Sequence, residues 1–232
     1  MHEIRHQFHE NLRELEAQAL GALDLVIQQL DRSLESLSYQ DIELAAMVVA
    51  DDDRIDGRYL EVHQGILSLL ARQAPVATDL RIVAALLHVI RCVERMGDQC
   101  VNVAKLVPLS GHEQPKDPEI LEAIERMGSL ARAQVLQAKD AFASRSDKLA
   151  RSLTSQDEEI NALNRTIFRR AVHIGEDAEL REWAMFMVLV ARCLERIGDN
   201  TVDIAEQTVF VITGLFREFA DASGNTEPLV GT

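Results

Sequence analysis

The sequence contains no glycine-rich phosphate loop, no GxSxG, no HExxH and no Cys/His pair at nucleophile spacing, so the common routes to nucleotide, acyl-transfer and zinc-protease chemistry are missing. Aromatic residues are only 4% against 47% hydrophobic overall, so the apolar content is mostly Leu, Ala and Val. That profile suits helix packed on helix better than a β-sandwich. Basic residues are scarce: 24 Lys and Arg face 38 Asp and Glu, a formal charge of −14 with no dense basic patch. Such a surface repels a phosphate backbone and argues against nucleic acid as a partner. The thiols are Cys92, Cys100 and Cys193, with no CxxC among them, and they read as reduced, packed groups of a cytosolic protein. The longest apolar runs, Ile82–Leu87 and Trp183–Ala191, fall far short of a membrane span, and Met1–Glu10 lacks the apolar core of a signal sequence. The chain is therefore expected to be cytoplasmic and to meet a membrane only through partners.

What the chain does contain is a repeat. The stretch Cys92–Lys105, CVERMGDQCVNVAK, returns 101 residues later as Cys193–Glu206, CLERIGDNTVDIAE. On a helix, Glu94, Asp98 and Asn102 follow at i, i+4 and i+8, as do Glu195, Asp199 and Asp203, so each trio forms a stripe along one side. Val93, Met96, Gly97, Cys100 and Ala104 fall opposite the first stripe, and Leu194, Ile197, Gly198 and Ala205 opposite the second. Both copies are amphipathic helices, apolar behind and acidic in front.

Like charges at i, i+4 cost about 0.2–0.5 kcal/mol per pair, and the second copy adds Glu206 to its stack, so a compensating cation is expected. Two candidates fit. Arg91 and Arg95 flank the first stripe, and Arg192 and Arg196 the second, and these guanidiniums can neutralise it. The other candidate is a metal ion, since carboxylates and an Asn amide are the hard oxygen ligands that Mg, Ca, Mn, Zn or Fe ions accept, and one helix alone supplies only part of a shell. Where the second copy ends in Glu206 the first has Lys105, placed on the face of Glu94 and able to neutralise it, so metal is expected more at the second stripe than at the first.

Apolar residues at spacings of three and four, from Leu12 to Leu37, predict a first helix over Ile4–Leu37. His2, His6 and His9 lie at its polar start, and Glu3 with His6 makes one ExxH without a second copy, which does not fit a ferritin-like di-metal bundle. A second helix is expected over Gln40–Ala71, carrying the acidic run Asp51–Asp53. Asp52 and Asp56 on it can face the first stripe, and Asp157 matches Asp52 in the second half. The Pro of QAPVATDLR marks the turn into a third helix, Val76–Val107. Pro108–Pro118 reads as a linker, followed by helices over Glu119–Ser144, Ser146–His173 and Ala178–Arg217. Val48, Asp52 and Ile55 align with Leu153, Asp157 and Ile160 at an offset of 105, so the second copy is four residues shorter before its third helix. The expected fold is all-α, two tandem antiparallel three-helix bundles: repeats over 1–110 and 119–218, a linker over 111–118, and a tail over 219–232 without periodicity. The run WAMFMVLVA from Trp183 points to all sides of its helix, and that surplus makes a homodimer an expectation.

ERMGD at Glu94–Asp98, ERIGD at Glu195–Asp199 and APVATDLR at Ala74–Arg81 together resemble the PhoU family over residues 5 to about 218. The resemblance implies a cytoplasmic regulator of high-affinity phosphate uptake, not an enzyme. It implies contact with the ATPase subunit of the phosphate ABC transporter and with a phosphate-sensing histidine kinase, restraining the phosphate regulon. It also implies metal at the stripes, with Glu94, Asp98 and Asn102 matching one site and Glu195, Asp199 and Asp203 the other; Asp52, Asp56, Asp157 and Glu206 are additional candidates. Two other readings stay open at this level: a metal-dependent hydrolase or redox enzyme working through the stripes, and a metal-free helical adaptor whose arginines neutralise them.

Overall fold

The regular apolar spacing of the first forty residues becomes one long helix, α1 (His2–Tyr39), with Leu12, Leu15, Ala19, Leu23, Val26 and Leu30 buried along one side. It opens a computed structural model that describes residues 2–111 and 116–219; Met1, the side chains of His2, Glu3 and Ile4, residues 112–115 of the linker and the tail beyond Phe219 lie outside the described residues. Then follow α2 (Ile42–Ala50), α3 (Asp53–Arg72), α4 (Thr78–Leu106), a short 3-10 turn (Val107–Leu109), α5 (Pro118–Ser144), α6 (Asp147–Val172) and α7 (Ala178–Thr213). No strand occurs among the described residues.

Local chemistry sets the helix ends. Asp41 accepts from the Leu44 N–H at 2.9 Å at the start of α2, and Asp177 accepts from the Leu180 N–H at 3.0 Å at the start of α7. Asp117 caps α5, whose first residue is Pro118, and is itself held by Arg170 of α6 at 2.9 Å. Gly214 closes α7 with φ at +76°, a conformation that glycine adopts without penalty.

Three expectations are corrected. The predicted second helix is broken at Asp51 and Asp52, where three consecutive Asp combine low helix propensity with mutual repulsion; in the second half Gln156 and Glu158, better helix formers, stand at the places of Asp51 and Asp53, and α6 is continuous. The last helix stops at Thr213 rather than Arg217, and residues 215–219 fold back, with Phe216 packed edge-on to Phe210 and the Phe219 N–H donating to Glu206 at 2.6 Å. The histidines at the chain start are not all idle: His9 reaches Asp79 at 3.2 Å, tying α1 to the first turn of α4.

α2 and α3 complete a bundle with α1 and α4, while α5, α6 and α7 form the second. The two are joined through α4 against α7 and α1 against α5. Trp183, Phe142, Met96 and Leu86 are among the fully buried side chains, each contributing on the order of 1.5–3 kcal/mol of burial. The four residues missing from the second copy are taken up chiefly at the end of α6: Val172 corresponds to Leu67, yet α3 runs on to Arg72. Loss of about one helical turn leaves the facing side chains in register.

Candidate functional site

The helical period of α4 sends Val93, Met96, Gly97, Cys100 and Ala104 into the core and leaves Asp98 and Asn102 exposed, with Glu94 half-buried. α7 does the same with Leu194, Ile197, Gly198, Ile204 and Ala205 inside, Asp199 exposed and Glu195 half-buried. Against each glycine lies an acid from the preceding helix. A Cβ on Gly97 would stand 3.4 Å from Asp52 Oδ1, and one on Gly198 2.7 Å from Asp157 Oδ1. The small residue in each motif is what lets the neighbouring helix bring a carboxylate to the stripe.

In the first site Asp52, Asp56, Glu94 and Asp98 repel one another. Burial, with Asp98 and Asp56 adding to it, raises the Glu94 carboxyl above its ordinary range while Arg91, paired with it at 3.2 Å, draws it down. Burial likewise raises Asp52; a hydrogen bond from Gln29 opposes this, and Asp56 and Asp98 reinforce it. Lys105 bears on Asp52, which corrects its expected role as the neutraliser of Glu94: eleven residues of helix separate Lys105 from Glu94 by about 16 Å of rise. Glu94 Oε2 is buried without a hydrogen-bond partner.

The second site holds Asp157, Glu195 and Asp199. The Asp199 carboxyl is pushed up to about 6, by partial withdrawal from water against α6 first, then by Asp157 and Glu195, with Arg192 opposing. Arg192 is paired with Glu195, as Arg91 is with Glu94. Asn161, at the position of Asp56, donates to Asp157 Oδ2 at 2.8 Å, so a neutral amide replaces a charge.

The second stripe does not continue as a single ribbon. Asp203 is raised by burial and lowered by Arg95 and His88 of α4, which places it toward the first repeat. Glu206 is 8% exposed and accepts from the Phe219 backbone, so it belongs to the anchor of the C-terminal segment rather than to an exposed acidic face. Arg95 thus acts on Asp203 across the repeat boundary as well as on Glu94 of its own stripe, and Arg196 bears on the Cys193 thiol.

Spacing along α4 and α7 did not reveal a third helix in each site. Gln29 of α1, 5% exposed, donates to Asp52 Oδ1 at 3.2 Å and to the Val48 carbonyl at 3.4 Å, leaving its own Oε1 buried without a partner. Gln134 of α5, fully buried, takes the same place in the second half, 3.0 Å from a Cβ on Gly198. The signal was there to be read: 29 and 134 share the offset of 105 that relates Asp52 to Asp157.

The donor set of each site, carboxylates with a neighbouring amide, joined in the first by a buried Glu94 oxygen without a hydrogen-bond partner, suits a hard cation rather than a soft one. Among the described residues, however, no three His, Cys, Asp or Glu side chains are already arranged to hold a metal ion. The acids are gathered but not closed into a shell. Nor is any helix among the described residues long and apolar enough to cross a membrane.

Comparison with known proteins gives one consistent answer. The family model described as the PhoU domain matches residues 20–107 and again 124–208. A Clostridium acetobutylicum protein named as a phosphate-specific transport system accessory protein PhoU homolog is 30% identical over 209 residues, 89% of this chain and 94% of its own. A Zymomonas mobilis protein of the same name is 32% identical over 208 residues, 89% of this chain and 87% of its own. The crystal structure of the phosphate transport system regulatory protein PhoU from Streptococcus pneumoniae superposes with a TM-score of 0.84 at 27% identity, covering 91% of this chain and all of that one. PhoU from Pseudomonas aeruginosa gives 0.82 at 27% identity over 90% of this chain and all of its own.

Proposed function

The chain belongs to the PhoU family, and from that membership we propose that it restrains phosphate uptake and the phosphate regulon from the cytoplasm, by contact with the ATPase subunit of the phosphate ABC transporter and with a phosphate-sensing histidine kinase. It is an accessory, regulatory protein of phosphate transport and not an enzyme. What supports the finer reading is the duplication of an acidic site in two halves that face one way of making charge: carboxylates collected by a motif glycine, each site holding one arginine-paired Glu beside carboxylates that raise one another.

We read these sites as receptors for hard divalent or trivalent cations, with Asp52, Asp56, Glu94 and Asp98 holding one and Asp157, Glu195 and Asp199 the other. A bound cation would supply the positive charge that Asp199 lacks, and the residues' own part is to gather the oxygens and exclude water from one side. Raised carboxyls are groups that gain from a nearby cation, because the cation favours the charged form that burial disfavours.

The test is co-purification of the intact protein with the transporter ATPase subunit and with the kinase's cytoplasmic part, with and without chelator, for the wild type and for Asp98→Asn with Asp199→Asn. Binding that weakens both on chelation and in the double variant supports cation-dependent docking. Undiminished binding in both would remove the acidic sites from partner contact, and no binding at all would remove the partners.

A further inference from the structure

The apolar run beginning at Trp183 is not buried all round. Trp183, Ala184, Met187, Val190 and Ala191 are in the core, but Met185 and Leu189, one turn apart on α7, remain 53% and 51% exposed. On α6, Phe168 and Val172 are likewise one turn apart and 53% and 63% exposed. Phe168, Val188 and Leu189 line an open groove of about 530 Å³ between the two helices, and Met185 and Val172 extend the same helix faces by one turn. Four large apolar side chains in water along one seam form the kind of patch that marks a docking surface.

The rim of that groove is basic, against the trend of a chain with a formal charge of −14. Arg165 and Arg169 rise from α6 and Arg192 from α7. Arg192 is paired with Glu195, whereas Arg165 and Arg169 have no carboxylate partner among the described residues. The fold does not demand this arrangement. At the matching places the first repeat has Leu60, His63 and Gln64 for Arg165, Phe168 and Arg169, and His88 for Leu189, while Arg91 lies over the Tyr59 ring at 5.9 Å.

We propose that the α6–α7 groove is the docking site for an acidic amphipathic helix of a partner protein, which lays apolar residues on Phe168 and Leu189 and carboxylates against Arg165 and Arg169. Charge complementarity selects the occupant: two guanidiniums that no carboxylate pairs among the described residues, beside an apolar floor, match a helix with Leu or Phe at i, i+3/i+4, i+7 and Glu alongside. A second copy meeting this face through a two-fold axis would set the arginines of both copies against one another. The proposal rests on the reading of the chain as a partner-binding regulator and adds a site distinct from the acidic clusters.

The experiment uses the intact protein and a helix-forming peptide of about 18 residues with Leu and Phe at i, i+4 and i+7 and Glu on the flanks, beside a version with Lys for Glu. Anisotropy should show the Glu peptide binding the wild type, weakened by about tenfold or more in Arg165→Glu with Arg169→Glu, weakened by added salt, and the Lys peptide preferring that charge-reversed protein. Phe168→Ser with Leu189→Ser should also weaken the Glu peptide; all four positions are exposed, so circular dichroism should not change. Equal binding of the two peptides, or none, overturns the proposal. So does a wild-type dimer that Phe168→Ser with Leu189→Ser dissociates, which would give the face to a second copy, and so does binding to anionic vesicles without peptide binding. Asp98→Asn, in the other half of the molecule, should leave peptide affinity unchanged, so failure of the acidic-site reading is seen separately.

Discussion

Gln29 donates through Nε2 to Asp52 Oδ1 at 3.2 Å, from a position on α1 that faces away from solvent. This bond carries a neutral amide into a cluster of four acids and holds one of them in place without neutralising it. Its counterpart Gln134 stands beside Asp157, so each acidic site is framed by three helices: α1, the α2–α3 junction and α4 in one half, and α5, α6 and α7 in the other.

The raised Asp199 carboxyl has a consequence for stability without added metal. Its folded value of about 6 lies above the ordinary 3.8, so between these values the folded protein holds a proton that the unfolded chain has released. Stability from this group is complete below about pH 4 and is lost as pH rises through 6. Asp199→Asn should therefore flatten the decline between pH 4 and 6 and, discounted for the group's exposure, add up to about 1 kcal/mol at pH 7, roughly 2–4 °C in Tm. Thermal melts across that range check it; a variant less stable than wild type at pH 7 contradicts it.

The motif glycines should differ in their tolerance. Alanine at 198 brings its Cβ to 2.7 Å from Asp157 and 3.0 Å from Gln134, so both must move, whereas alanine at 97 meets Ile55 at 3.1 Å and Asp52 at 3.4 Å. Helix propensity favours Ala by about 1 kcal/mol in both cases. Gly97→Ala should stay within about 1 kcal/mol of wild type, while crowding in Gly198→Ala costs about 1–3 kcal/mol before that gain. Urea midpoints for the two variants decide the order.

Glu206 should act as a strap anchor. Removing the acceptor of the Phe219 N–H in Glu206→Ala should cost about 1–3 kcal/mol and speed proteolysis between Gly214 and Phe219, while Glu206→Gln keeps an acceptor and loses less. Cleavage rates equal to wild type would show that the segment is held elsewhere.

The three thiols should be silent. Burial raises Cys92 to about 12, Cys193 to about 11, and Cys100 further still. A disulfide-exchange reagent at pH 8 should label none of them in the native protein and all three in denaturant. Fast native labelling at Cys100 would contradict the packing of α4 against its neighbours.

The repeat, the amphipathic faces and most helix ends were legible in the sequence because period and capping chemistry are local properties. Glu94, Asp98, Glu195 and Asp199 could be placed on helix faces by spacing alone, and Asp52 and Asp157 by their shared offset. Three features were not legible for physical reasons. The break at Asp51–Asp52 depends on a small difference in helix stability that spacing does not measure. Glu206 keeps helical register with Glu195, yet α7's surroundings and the returning segment bury it. Asp203 shares the stripe of Asp199, but which neighbour it meets is decided by how α4 crosses α7, and that is a property of the assembled bundles.

Manganese titration of metal-free protein at pH 7, read as a shift in Tm, tests the cation sites most directly. Ion bound at a hundred times its Kd adds about 2.7 kcal/mol, roughly 5–10 °C for a chain of this size. The expected result is a rise in the wild type that Asp98→Ala, in the site of four acids, reduces more than Asp199→Ala, in the site where Asn161 replaces one of them. A melting temperature that no manganese, magnesium or iron concentration moves would contradict the sites themselves, and equal losses in the two variants would contradict their ranking.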